Sequence, residues 1–263
     1  MYSALIIVLI VVAGAVAIRG IQRQQPWTVI GGVLIALATW AFFWLMGFWG
    51  EFLWFEALEQ GPRFWQEVLW ALGSTVGAGL VGGLLAFVLT WSLRDRPGLR
   101  WAAVAIVAVT ALAWGYGNWR TVAMYACRAS TDLADPIFEK PVGFYLFVLP
   151  LYDAVRGLIV RIAGISLVAC LAGVYLRFGD GSFSIQSPPR EEQAPRTGWS
   201  LYLSAGVLLA ALAWGSYLNR YHLLYSEWGA VTGAGWTDLH VRLPGYWITC
   251  VVTALLALLI VIR

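Results

Sequence analysis

Asp132, Asp135 and Glu139 share one hydrophilic stretch of this sequence, and Asp238 and His240 stand two apart in another. Carboxylate and imidazole groups are donor types that bind a divalent cation. Asp238 and His240 share a face only where the chain is extended, because strand side chains alternate with a period of two. These two are the candidate metal ligands. A structural reading competes with the chemical one. Asp135 before Pro136, and Thr237 before Asp238, have the order of turn and helix-cap residues.

Little else could do chemistry. The sequence contains no GxxxxGK[ST] loop, no HExxH pair and no GxSxG elbow, and no catalytic residues are expected. Its two histidines, His222 and His240, both lie outside the apolar runs. Intramembrane haem and chlorophyll are usually held by histidine, so no cofactor is expected. Cys127, Cys170 and Cys250 are far apart without a CxxC pair, which argues against a disulfide framework or a zinc site. Cys170 and Cys250 read as small buried hydrophobes. Four charges encroach on apolar runs: Glu67, Asp153, Arg156 and Arg161. Asp153 and Arg156 are three apart and are expected to pair along one helix face. Arg161 is the deepest and is expected to snorkel or to meet an acid from a neighbouring helix.

The elements that carry these residues follow from composition. Hydrophobic residues make up 60% of the chain and charged ones 12%. A soluble chain carries about 25% charged residues, so this surface is matched to lipid. A hydrocarbon core of about 30 Å takes roughly 20 apolar residues per helix. Seven runs qualify, at about 2–18, 27–48, 67–93, 101–119, 151–176, 199–218 and 245–262. The first lacks the basic flank and cleavage site of a signal peptide and is expected to be retained. The fold expected is all-α: one polytopic transmembrane helical domain over 1–263.

The connections differ in character. Residues 51–66 mix Trp, Phe and Glu at near-helical spacing, which predicts an amphipathic helix lying in the interface. Residues 120–150 and 219–244 are long and aromatic, and are expected to form an extracytoplasmic cap. Residues 179–198 are rich in Pro, Ser, Gln and charge, and read as a flexible cytoplasmic loop. The third run holds two GxxxG spacings, Gly73/Gly77 and Gly79/Gly83. These allow close helix packing within the bundle or against another subunit. Many of the sixteen tryptophans fall near run ends, at headgroup depth. Trp40 and Trp114 lie deeper and are expected to pack against neighbouring helices.

Nine of the seventeen basic residues lie in the first, third and fifth connections and at the C-terminus, with four of the fourteen acids. The positive-inside rule then places the N-terminus outside and the C-terminus in the cytoplasm of a bacterial inner membrane. No Lys/Arg patch is dense enough to track a nucleic-acid backbone. The expected partners are membrane lipids and other membrane subunits.

Four stretches carry a family resemblance. They are Leu53-Trp54-Phe55; Asp135-Pro136-Ile137-Phe138 with Phe144 to Pro150; Tyr217 to Tyr221 with Leu223-Leu224; and Gly233 to His240 ending in Leu243-Pro244. Over roughly residues 35–262 the sequence resembles the uncharacterised bacterial integral membrane protein family 0182. Its motif residues here are Asp135, Pro136, Phe138, Arg220, Tyr221, Thr237, Asp238, His240 and Pro244. The resemblance implies a helical bundle followed by a larger extracytoplasmic domain. The sequence departs from that pattern. It has an additional first span, and it stops before the family's last helix and large domain, as a fragment or a shortened relative would. Glu139-Lys140-Pro141 also replaces the family's usual glycine and acidic residues after Asp-Pro-x-Phe. No activity comes with the resemblance.

The leading expectation is a non-catalytic subunit packed into a larger membrane complex, respiratory or photosynthetic. The alternative is a transporter or channel for ions or lipids. An extracytoplasmic metal-dependent activity at Asp238 and His240 ranks last.

Overall fold

The structure is a computed structural model that describes residues 2–129, 133–179, 182–185, 198–226 and 233–262. Seven helices dominate it: α1 (Tyr2–Gln22), α2 (Pro26–Ala57), α3 (Gly61–Leu89), α4 (Pro97–Ala126), α5 (Leu149–Tyr175), α6 (Gly198–His222) and α7 (Leu243–Ile262). Each is long and apolar enough to cross a membrane. Between α5 and α6 the backbone of Leu176–Gly179 (β1) pairs antiparallel with Ser182–Ile185 (β2). Part of the stretch expected to be a flexible loop is therefore a hairpin; residues 186–197 lie outside the described residues.

Most helix ends outrun the expected spans, because polar and aromatic flanks continue the helical hydrogen bonding; α3 instead stops at Leu89, four residues short of the expected 93, and a 3-10 turn follows over Trp91–Asp95. The largest difference falls at 51–66. No interfacial helix forms there. With no breaker before it, α2 runs on to Ala57, turns through Glu59 (φ 57°), and α3 starts at Gly61-Pro62.

Contacts divide the chain into two compact units, residues 1–68 and 69–263. In the first, α1 and α2 form a hairpin whose backbones meet at glycines. A Cβ on Gly32 would lie 2.7 Å from the Ala17 nitrogen, and one on Gly20 2.6 Å from the Val29 nitrogen. Phe64 is buried, with its ring 5.2 and 5.5 Å from those of Phe48 and Phe52. Trp40 is 68% exposed, contrary to expectation, and stacks only on Trp44 of its own helix.

In the second unit, Ala86 and Leu89 of α3, Val107, Ala111 and Trp114 of α4, and Leu158 and Ile162 of α5 form one core cluster. Trp114 is buried as expected, and its indole N–H donates to the Ala154 carbonyl at 2.9 Å. Small residues set the helix spacing, as in membrane interiors generally. Gly82 faces the Ala111 methyl, and Gly83 lies opposite Ala108. The two GxxxG pairs divide: Gly79/Gly83 turns toward α4, whereas Gly73 and Gly77 have nothing within 4 Å of their Cβ positions.

The second unit is also built on a repeat. Residues 96–120 align without a gap on 196–220. Arg96, Gly98, Ala105, Val107, Ala111-Leu112-Ala113-Trp114-Gly115 and Arg120 recur 100 positions later. The next helix of each pair begins alike. A π-helical turn, Phe144–Val148 or Asp238–Arg242, precedes Leu149-Pro150-x-Tyr152 or Leu243-Pro244-x-Tyr246. Proline lacks the N–H that an α-turn would use, and the wider turn bridges the gap. Thus the amide of Leu149 bonds to Phe144, and that of Leu243 to Asp238. Helices α4–α5 and α6–α7 are two copies of one unit. Ala163 and Ala257, equivalent when α5 and α7 are aligned from these prolines, are both buried.

Candidate functional site

Polar residues gather where α4 and α6 end and where α5 and α7 begin. An aromatic cap covers this end of the second unit: Tyr145, Leu149, Leu218 and Tyr221 are buried, with Phe138, Phe144, Trp214 and Tyr217 packed on them. Phe138 and Phe144 meet the Tyr221 ring edge-on at 5.2 and 4.9 Å. Arg220 lies over the rings of Tyr217 (3.7 Å) and Trp247 (4.8 Å), and donates to the Tyr221 hydroxyl at 2.6 Å. Cation–π contact holds the charge in an otherwise apolar place.

Asp135 ties the loop before α5 to this cap. Its oxygens accept the N–H groups of Ile137 (3.1 Å) and Phe138 (2.6 Å) and the Tyr145 hydroxyl (3.0 Å). Asp135 and Pro136 open a turn closed by the Glu139 amide on the Asp135 carbonyl, the geometry these residue types favour. The turn expected here is present; Asp132 lies outside the described residues. Glu139 occupies the left-handed region at φ 54°. That conformation costs a Cβ-bearing residue roughly 1 kcal/mol, and it accounts for the glycine that the family resemblance implies at this point. Glu139→Gly is expected to stabilise the protein by about 0.5–1 kcal/mol, read as a higher midpoint in thermal unfolding.

Asp238 and His240 are not brought together. Their segment is helical, so residues two apart diverge by more than a right angle. Asp238 is buried; it accepts the Gly235 N–H at 3.1 Å and the Arg242 guanidinium at 3.0 Å. An acid reaching back to an N-terminal amide three residues earlier is half of a capping box. Thr237, the expected cap residue, makes no capping bond. His240 is exposed, stacked on Trp236 at 4.4 Å, with Nδ1 2.9 Å from the Trp236 carbonyl. Among the described residues no group of three or more His, Cys, Asp or Glu could hold a metal ion.

Asp153 does not pair with Arg156. It takes His222 of α6 instead, Oδ2 to Nε2 at 2.7 Å. Arg156 lies against Gly215, where a Cβ would sit 2.6 Å from one guanidinium nitrogen. Beside the His222–Asp153 pair a hollow of about 410 Å³ is walled by Asn219, His222, Ser226, Arg242 and Tyr246 among others. Asp135, Asp153 and Asp238, the aspartates described at this end, are each engaged by protein groups. Of the cysteines, Cys170 is fully buried and Cys250 partly so. Arg161 lies on the outer surface of α5, 12 residues into the helix. The signal missed in the sequence is the repeat itself, Ala-Leu-Ala-Trp-Gly twice, 100 residues apart, whose glycines are where α4 meets α3 (Gly115) and where α6 meets Arg156 of α5 (Gly215).

Seven apolar helices, a glycine-packed interior and an aromatic cap define a multi-pass helical membrane protein. The family model described as Uncharacterised protein family (UPF0182) matches residues 93–263, and the chain belongs to that family. A UPF0182 protein of Bradyrhizobium diazoefficiens is 31% identical over 245 residues, covering 90% of this chain and 25% of its own length. One from Cupriavidus necator is 36% identical over 148 residues, 56% of this chain and 16% of its own. One from Desulforamulus reducens is 26% identical over 287 residues, 92% of this chain and 30% of its own. The chain thus spans between about a sixth and a third of the length of these relatives. No solved structure matches.

Proposed function

We propose that this chain is a non-catalytic subunit of a larger membrane protein assembly in the bacterial inner membrane, N-terminus outside and C-terminus in the cytoplasm. The observation that supports it is the division of α3 into two small-residue faces. Gly79, Gly82 and Gly83 take up α4, while Gly73 and Gly77 present an open GxxxG face. Such a face lets a second helix backbone approach closely, and it gains nothing from lipid. The basic segments between α1 and α2, α3 and α4, and α5 and α6 favour the orientation.

The test is purification from native membranes in mild detergent. Partners at fixed stoichiometry are expected, and their loss in a Gly73→Leu/Gly77→Leu variant whose unfolding midpoint is unchanged. A wild-type protein that emerges as a clean monomer overturns the reading.

A further inference from the structure

Arg161 is out of place for a lipid-facing residue. It lies eight residues beyond Asp153 and fourteen before Tyr175 in a continuous helix. At 1.5 Å per residue these are about 12 and 21 Å, which together match a hydrocarbon core of about 30 Å. Arg161 therefore lies inside the apolar span, about a third of the way from its Asp153 end. Helical side chains lean toward the N-terminus, here toward Asp153. An arginine arm covers little more than one turn, about 5.4 Å, which leaves the guanidinium about 6 Å short of the Asp153 level. Arg161 is exposed, and among the described residues it has no hydrogen bond, ion pair or ring contact.

Its surroundings are equally unusual. Gly157 and Gly164 flank it on the same face, four residues before and three after, and nothing lies within 4 Å of either Cβ position. The repeat supplies an internal control. Aligned from the prolines, Gly157, Arg161, Gly164 and Val168 of α5 correspond to Val251, Leu255, Leu258 and Ile262 of α7. Those four are 51%, 54%, 55% and 71% exposed, an ordinary lipid-facing stripe. The architecture is satisfied by bulky apolar residues here, so it does not itself require the glycine–arginine–glycine face.

We propose that this face of α5 is a docking site for a transmembrane helix that carries an Asp or Glu within the hydrocarbon, level with Arg161. The notch at Gly157 and Gly164 lets the two backbones approach, and the carboxylate reaches Arg161. A charge in hydrocarbon is costly without a partner. A guanidinium pairs with a carboxylate through two parallel hydrogen bonds. A lipid phosphate is the rival occupant, but the arm meets it only by snorkelling toward the Asp153 end, and it does not use the notch. The inference rests on the reading of the chain as an assembly subunit, and names the chemistry of one contact.

The experiment reconstitutes the purified protein in phosphatidylcholine vesicles. Association with a labelled leucine-rich transmembrane peptide is measured by energy transfer, the peptide bearing a single Glu, Gln or Leu level with Arg161. The Glu peptide is expected to bind roughly tenfold more tightly than the Leu peptide. Arg161→Leu should abolish that preference, and Arg161→Lys, which keeps the charge but not the two parallel hydrogen bonds, should retain only part of it. Equal binding of the Glu and Leu peptides overturns the proposal, as does a preference that survives Arg161→Leu. Arg161-dependent retention of phosphatidylglycerol in native mass spectra, with no peptide preference, also overturns it and makes the residue a headgroup anchor. Absence of any native assembly removes the wider reading, while the peptide comparison still decides this one.

Discussion

Gly115→Ala is expected to cost about 2–3 kcal/mol, more than the same change at its repeat equivalent, Gly215. The difference lies in what each new methyl meets. At Gly115 it would overlap the Ser74 carbonyl oxygen and come within 2.7 Å of the Thr75 Cα, both backbone atoms of α3. Neither can move without shifting the helix, and the Ser74 hydroxyl, which donates to the Gly115 carbonyl at 3.0 Å, would be displaced with it. At Gly215 the methyl meets the far end of the Arg156 side chain, and a flexible arm can swing aside for about 1 kcal/mol or less. Gly117, in the same helix with nothing near its Cβ position, serves as the clash-free control, where alanine should stabilise slightly. The reporter is built in. Cys170 is fully buried, so in a Cys127→Ser/Cys250→Ser background a thiol-reactive dye reads unfolding directly. The Gly115 variant should unfold roughly 5–10 °C lower. Equal midpoints for Gly115→Ala and Gly117→Ala would mean that α3 and α4 are not in backbone contact.

That pair of glycines also marks what could be read from the chain. Seven spans were legible because an apolar run of about 20 residues has one economical structure in lipid. The aromatic cap and the turn at Asp135-Pro136 were legible because local residue types dictate them. The interfacial helix at 51–66 was misjudged for a related reason. Alternating aromatic and acidic residues look the same on a surface helix as on the adjoining ends of two long helices, and only the left-handed Glu59 marks the turn between α2 and α3. Which glycines of α3 face α4 was not legible, since both GxxxG pairs satisfy the same spacing and only tertiary placement separates them. The partner of Asp153 was not legible either. The local candidate Arg156 is three residues away, but His222, 69 residues on, is what α6 delivers. Asp238 and His240 looked like ligands only under an extended backbone. Gly235 and Asp238 instead cap a helix there and turn the two side chains apart.

Asp135→Ala should lower stability by about 3 kcal/mol and should loosen the cap before the bundle. One carboxylate holds three donors, two of them backbone amides and the third the hydroxyl of a buried tyrosine. Hydrogen bonds to a charged acceptor are worth more than neutral ones, and the partners left behind carry the larger part of the loss. The bond from the Ile137 amide is exposed, so water can replace the carboxylate there and it contributes little, whereas that from Phe138 is part-buried. The Tyr145 side chain is buried, with its ring 6.3 and 6.2 Å from those of Tyr221 and Tyr225, so its orphaned hydroxyl costs the most. Tyr145→Phe removes that hydroxyl with its acceptor left in solvent reach, and is expected to cost about 1 kcal/mol. Asp135→Asn keeps an acceptor oxygen and should fall between the two. In the double variant, Asp135→Ala with Tyr145→Phe, the loss should be smaller than the sum, because the orphaned hydroxyl is no longer there. Hydrogen exchange locates the effect. Amides 137–148 should exchange faster in Asp135→Ala, while those of α4 around Val107 and Ala111 keep their wild-type rates. Uniform acceleration across both regions would show instead that the cap and the helical core unfold as one unit. Asp135 would then be a keystone of the whole second unit, not only of the loop it closes.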